Sequence, residues 1–226
     1  MNNVRKNYMK KRLNGLLTLL ATALMVACDA HIEEPDMAVK VGHVLCTDGQ
    51  SLSYESYDGS GKEAIAIVFY LNRDPGTAGN GYAVYLHDLP AEAFADSIGV
   101  AQGTSADLTA YDGNENTFAL YDTEEVASPI AERVFDLWRY GQSAYIPSAA
   151  QMRLLYAAKA LVNPYIEKCG GEPLPDAADD CWYWTSTEVE GQETAKAWLY
   201  SLGSGAMQET PKWQAHKVRP IITLNE

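Results

Sequence analysis

Residues 64–71, AIAIVFYL, are apolar without a break. A run of this length, rich in β-branched and aromatic side chains, suits a strand buried on both faces. Gly59 and Gly61 precede it, and the turn-rich stretch NRDPGTAGNG at 72–81 follows. Residues 82–87, YAVYLH, read as its partner strand. The loop between them is expected to be exposed and mobile, and is a second-rank contact surface. Upstream, Asp48-Gly49 between two short apolar runs signals a hairpin.

Two helices are predicted next. Ser128-Pro129 places a hydroxyl at the N-cap and proline at the first helical position. Ile130, Val134, Leu137 and Trp138 then share one face, and Gly141 stops the run. The second helix starts at Ser148, with Gln151 three residues on, the spacing of a capping box. Met152, Leu155, Ala158 and Val162 form its apolar stripe, which reads as core. Asn163-Pro164 is expected to break it, with one more turn before Gly170-Gly171. Residues 182–187, 196–202 and 217–224 are again strand-like. Strands, then helices, then strands argue for an α+β fold with a mixed or antiparallel twisted sheet and two main helices.

The N-terminus speaks to location. Arg5, Lys6, Lys10, Lys11 and Arg12 precede the apolar stretch GLLTLLATALMVA at 15–27, which is short for a bilayer span. Met25-Val26-Ala27-Cys28 resembles a bacterial lipobox, with Met where Leu is usual. The expectation is a signal peptide over 1–27, lipidation at Cys28, an acidic tether over 28–39 and one domain over 40–226. Several acyl chains on one residue anchor firmly, at about 0.8 kcal/mol per buried methylene. The tether, DAHIEEP at 29–35, resembles the acidic signal that some Gram-negative bacteria use to export lipoproteins to the cell surface.

Charge narrows the partners. Residues 1–27 hold five of the 17 basic residues and none of the 30 acidic ones. A chain cut before Cys28 therefore carries −18, against −13 for the whole. Such a surface is repelled by nucleic acid and anionic lipid, leaving the anchor as the membrane contact. Cys46, Cys169 and Cys181 remain after the anchor, so at most one internal bridge forms. A Cys169–Cys181 disulfide closes a short loop and would contribute roughly 2–3 kcal/mol. No CxxC occurs, and His31, His43, His87 and His216 are scattered, which disfavours zinc.

The stretch CWYWTSTE at 181–188 is the most distinctive. Strand geometry sends Trp182 and Trp184 to one side and Tyr183 to the other. Ser186 and Thr187 are placed to satisfy nearby backbone groups, and Arg219 is expected to pair with a carboxylate such as Glu188.

Taken in order, AIAIVFYLN (64–72), YDGNENT (111–117), YIPSAAQMRLLY (145–156), YWTSTE (183–188), AKAWLYSL (195–202) and KVRPI (217–221) resemble a bacterial domain family of unknown function with a C-type lectin-like fold. It is common on surface lipoproteins and related in fold to formylglycine-generating enzymes and to the variable proteins of diversity-generating retroelements. The resemblance spans roughly 40–224 and implies that Trp184 lies inside the domain.

The family's chemistries transfer poorly. Calcium-dependent lectins use Glu-Pro-Asn or Gln-Pro-Asp with Trp-Asn-Asp. Here Glu172-Pro173 is followed by Leu174, and Trp-Asn-Asp is absent. Glu172, Asp176, Asp179 and Asp180 stay as weak calcium candidates, and no other cofactor is expected. The formylglycine enzymes use paired cysteines near the C-terminus, and no cysteine follows Cys181. The segment matching the retroelement variable region, 188–217, contains no Asn, contrary to the usual bias.

The leading expectation is a non-enzymatic, surface-displayed lipoprotein that binds a protein or glycan. Its lead contact surface is Met207, Lys212, Trp213 and His216. Alternatives are an enzyme acting on surface polymers or protein thiols, and an accessory subunit of a fimbria-like surface assembly.

Overall fold

The structure is a computed structural model that describes residues 38–72, 79–137, 144–176 and 181–224. Residues Val39–Glu226 form one compact unit. Its chain begins with the expected hairpin, β1 (Val44–Cys46) and β2 (Ser51–Leu52), paired antiparallel. Gly49 takes φ +81°, a left-handed turn conformation that glycine adopts without steric cost. A short helix, α1 (Tyr54–Tyr57), leads into β3 (Ala64–Leu71) and β4 (Gly81–Tyr85). β5 (Leu89–Ala93) follows, then helices α2 (Gly113–Asp122) and α3 (Pro129–Leu137), β6 (Ala144–Tyr145) and the long α4 (Ala149–Lys168). The C-terminal third holds β7 (Trp182–Glu188), β8 (Lys196–Ser201), β9 (Met207–Pro211), β10 (Ala215–Val218) and β11 (Ile221–Leu224). The fold is α+β.

The strands build two sheets where one was expected. The first has the order β2-β1-β3-β4-β11-β6 and the second β5-β10-β7-β8-β9. Every pairing is antiparallel except β10 with β7. Residues 217–224, read from sequence as one strand, divide at Arg219-Pro220: β10 serves the second sheet and β11 the first. Proline lacks the N–H that continuous pairing needs, so the chain changes sheets there.

Strand β3 is buried on both faces, as its composition required. Ile67 and Phe69 join a cluster with Met152, Leu155, Val162 and Ile166 of α4. Ala66 and Val68 join another with Leu120, Ile130 and Val134 of α2 and α3. Each large apolar side chain buried this way stabilises by about 1.5–3 kcal/mol. The strand β7 serves the same two clusters: Tyr183 enters the first, while Trp184, with Trp182 against it, enters the second. The alternation expected for the indoles is observed.

Both predicted helix starts are present. Ser148 Oγ accepts from Gln151 N–H, and Gln151 Oε1 accepts from Ser148 N–H at 2.9 Å, a complete capping box. Ser128 Oγ donates to the Phe94 carbonyl at 2.7 Å and so ties the start of α3 to the second sheet. The end expected at Gly141 lies outside the described residues, as does Trp138.

Two helix expectations need correction. Pro164 does not break α4, which runs on to Lys168. The carbonyl it leaves without an intrahelical donor belongs to Ala160, and both residues sit on the exposed face. Water can satisfy that group, so the penalty stays small. Among the described residues, α2 makes a third substantial helix. Its first residue, Gly113, packs so tightly that a Cβ there would lie 2.4 Å from Gln151 Oε1 and 2.7 Å from the Ile146 carbonyl.

Candidate functional site

The C-terminal sheet carries the candidate residues, and its inner face is dense with charge. Lys212 Nζ pairs with Glu188 Oε1, and their side chains are 0% and 1% exposed. Gln102 completes the group: its N–H donates to Glu188 Oε1 at 2.9 Å, and its Oε1 accepts from Lys212 Nζ at 3.2 Å. The ammonium also lies 5.2 Å from the Phe94 ring centroid. Burial pushes the Lys212 pKa down, while the hydrogen bond and charge of Glu188 oppose the shift. Lys212 is therefore a structural ion, and its expected role as an exposed contact is incorrect.

Arg219 is also buried, but Glu188 is not its partner. Nε donates to Asp88 Oδ1, and Nη1 reaches the carbonyls of Tyr85, Leu86 and Glu172. Tyr183 Oη donates to the other Asp88 oxygen at 2.9 Å. One guanidinium thus fastens the end of β4, the start of the 172–176 segment and β7. The expectation of a paired buried charge was right; the partner lies 131 positions away.

Trp184 is fully buried, its indole N–H donating to the Glu92 carbonyl at 3.1 Å. His216 stands edge-on to that indole at 5.3 Å and is half-buried, with its pKa pushed down by burial. Met207 is half-buried opposite Tyr200. Thr187 Oγ1 accepts from Ala149 N–H at 3.1 Å, as expected of its role. Ser186 Oγ has no hydrogen-bond partner among the described residues, against expectation.

Trp213 behaves differently. It occupies the turn between β9 and β10 and is 60% exposed. Its predecessor, Lys212, anchors the turn inward, and Lys212 N–H donates to the Ala195 carbonyl at 3.0 Å. An indole held outward on a turn fixed from beneath is a ready contact surface, because little ordering entropy remains to be lost on binding. Of the four residues proposed for the lead surface, Trp213 alone is strongly exposed.

Among the described residues, Cys46, Cys169 and Cys181 carry no disulfide. Cys181 Sγ lies 3.1 Å from Ser201 Oγ, and Cys169 caps α4, where it packs against the cluster containing Cys46. The expected Cys169–Cys181 bridge is absent. Cys46 is buried in β1, and burial raises its pKa, the opposite of what a poised thiolate requires. Asp176 pairs with Lys159 at 2.8 Å, and Glu172 contributes its carbonyl to Arg219. Asp179 and Asp180 lie outside the described residues, as do Cys28 and most of the 72–81 loop. Among the described residues, no group of three or more His, Cys, Asp or Glu is placed to hold a metal. No described helix is long and apolar enough to cross a membrane.

Sequence reading missed a cleft of about 480 Å³ on the same sheet. Trp198 of β8 and its cross-strand partner Glu209 of β9 line it. Val189 and Glu190, just beyond β7, form one wall, and Asp107 and Leu108 form the other. The sequence signal was the tryptophan in AKAWLYSL, hidden because its opposing residues lie on three separate segments.

No family model matches the chain, and no curated protein matches it. Among solved structures, a fimbrial protein from Bacteroides ovatus is similar, with a TM-score of 0.64 and 16% identity. The match covers 82% of this chain and 49% of that one, so this chain spans about half the length of the solved protein. At that identity the likeness concerns the fold.

Proposed function

We propose that this chain is a non-enzymatic recognition subunit of the bacterial surface, an accessory component of a fimbria-like assembly. Its C-type lectin-like domain contacts a protein or glycan through the Trp213 turn, and lipidation at Cys28 anchors it to the outer membrane. The exposed indole on a turn held by a buried ion pair is the observation that carries the binding role. Tryptophan is favoured at such positions because it offers large contact area at low entropic cost. The prominent charges of the sheet are spent on packing, which favours binding over catalysis.

The assembly role is supported by the fold it shares with a protein described as fimbrial. Its sheet edges suggest an accessory place rather than a polymerising one. β2 and β6 are two residues long, β5 contains Pro90, and β9 exposes Glu209 and ends on Pro211. Short, charged or proline-bearing edges resist the addition of a further strand.

A glycan array and a pull-down with the wild-type protein and Trp213→Ala test the binding role. Binding lost in the variant, with folding intact, is the expected result; equal binding by both removes Trp213 from the site. Co-purification with a multi-protein filament tests the assembly role, and recovery of the chain only in isolation rejects it.

A further inference from the structure

The Trp198 cleft has a chemistry of its own, independent of the Trp213 turn. Its lining carries three carboxylates, Asp107, Glu190 and Glu209, beside the Trp198 indole. Asp107 Oδ1 accepts from Thr109 N–H at 2.8 Å and Thr109 Oγ1 at 2.7 Å, bonds that hold the carboxyl below its ordinary pKa. Glu209 Oε2 accepts from Lys196 Nζ at 3.1 Å and Gln192 Nε2 at 3.2 Å. The other oxygens of Asp107 and Glu209 accept no hydrogen bond among the described residues. Glu190 is exposed, with no hydrogen-bonded or ionic partner among the described residues. Lys196 and Arg153 offset part of the charge, and the three carboxylates Asp107, Glu190 and Glu209 leave the cleft negative. The nearby Arg153 gives Nη2 to the Leu108 carbonyl at 3.1 Å, which fixes the second wall.

We propose that this cleft receives a lysine or arginine side chain from a partner polypeptide, with the cation over the Trp198 ring and its N–H groups directed to Asp107 and Glu190. The carboxylates and the indole face together select this occupant. Ammonium and guanidinium groups only donate, whereas sugar hydroxyls both donate and accept. Tryptophan is the best cation–π partner among side chains. The surplus of 30 acidic over 17 basic residues draws cations toward the domain before contact. The volume lies within the range of small-ligand sites.

The test is a titration of the full-length protein, followed through the Trp198 indole N–H resonance, which Trp198→Phe assigns. The probes are Nα-acetyl-lysine methylamide, its neutral counterpart Nα-acetyl-norleucine methylamide, and maltotriose. The lysine probe should shift the resonance saturably with a Kd on the order of 1–10 mM, the strength of one cation–π contact and two carboxylate contacts. Raised salt should weaken it severalfold. Glu190→Gln, on the exposed surface, should weaken it about threefold or more at unchanged thermal stability. Equal response to the norleucine probe, saturation by maltotriose in place of the lysine probe, no saturable response, or undiminished binding in Glu190→Gln would each overturn the proposal.

Discussion

Replacing Lys212 with methionine keeps most of the side-chain volume and removes the charge. Glu188 then retains the Gln102 N–H but has no counter-ion, in a side chain only 1% exposed. Removing one member of a buried pair typically costs about 3–5 kcal/mol, since the remaining charge stays desolvated. In a domain of this size, each kcal/mol moves Tm by about 2–4 °C, so the variant should melt roughly 6–20 °C lower. Adding Glu188→Gln removes the stranded charge while keeping an acceptor for Gln102. The double variant should recover to within about 2 kcal/mol of wild type. Urea unfolding of the four proteins at neutral pH measures the cycle, and m should stay constant if the compact state is unchanged. A cost for Lys212→Met below about 1 kcal/mol, the range of exposed pairs, would refute the buried pair.

Burial lowers the His216 pKa, so the folded state binds fewer protons than the unfolded state just below the unfolded pKa of about 6.5. Its contribution is complete above that pH and is lost as pH falls through the folded value. The urea midpoint should therefore drop less on acidification in His216→Gln than in wild type, and identical profiles would contradict the shift. Thr210 Oγ1 is buried with no hydrogen-bond partner among the described residues. Thr210→Val should accordingly stabilise by about 1 kcal/mol in the same assay, and destabilisation would reveal a hidden partner. Cys169 and Cys181 should both react with a thiol reagent after non-reducing denaturation, and a mass showing them bridged would contradict the free thiols.

Local chemistry made much of the scaffold readable. Ser148 and Gln151 announced α4 because a capping box is contained within four residues. The run at 64–71 announced β3 because burial on both faces leaves no polar position. α2 was missed: GNENTFALYD buries few apolar side chains, Leu120 among them, and its place depends on the close approach of Gly113 to α4. β9 is not legible in the sequence because an edge strand tolerates polar residues such as Gln208 and Glu209.

The site was less readable for the same reason. Lys212 and Trp213 are adjacent, yet one is sealed inside and the other faces water. A carboxylate 24 residues upstream decides that difference, and local pattern cannot supply it. The pairing of Arg219 with Asp88 and the assembly of the Trp198 cleft are likewise products of sheet topology.

Hydroxyl-radical footprinting of the folded protein, read at single indoles by mass spectrometry, tests most directly whether the tryptophans divide between scaffold and contact surface. Trp213 should oxidise rapidly while Trp184 remains protected until the protein unfolds. Comparable oxidation of Trp184 in the native state, or protection of Trp213 in the isolated chain, would contradict that division.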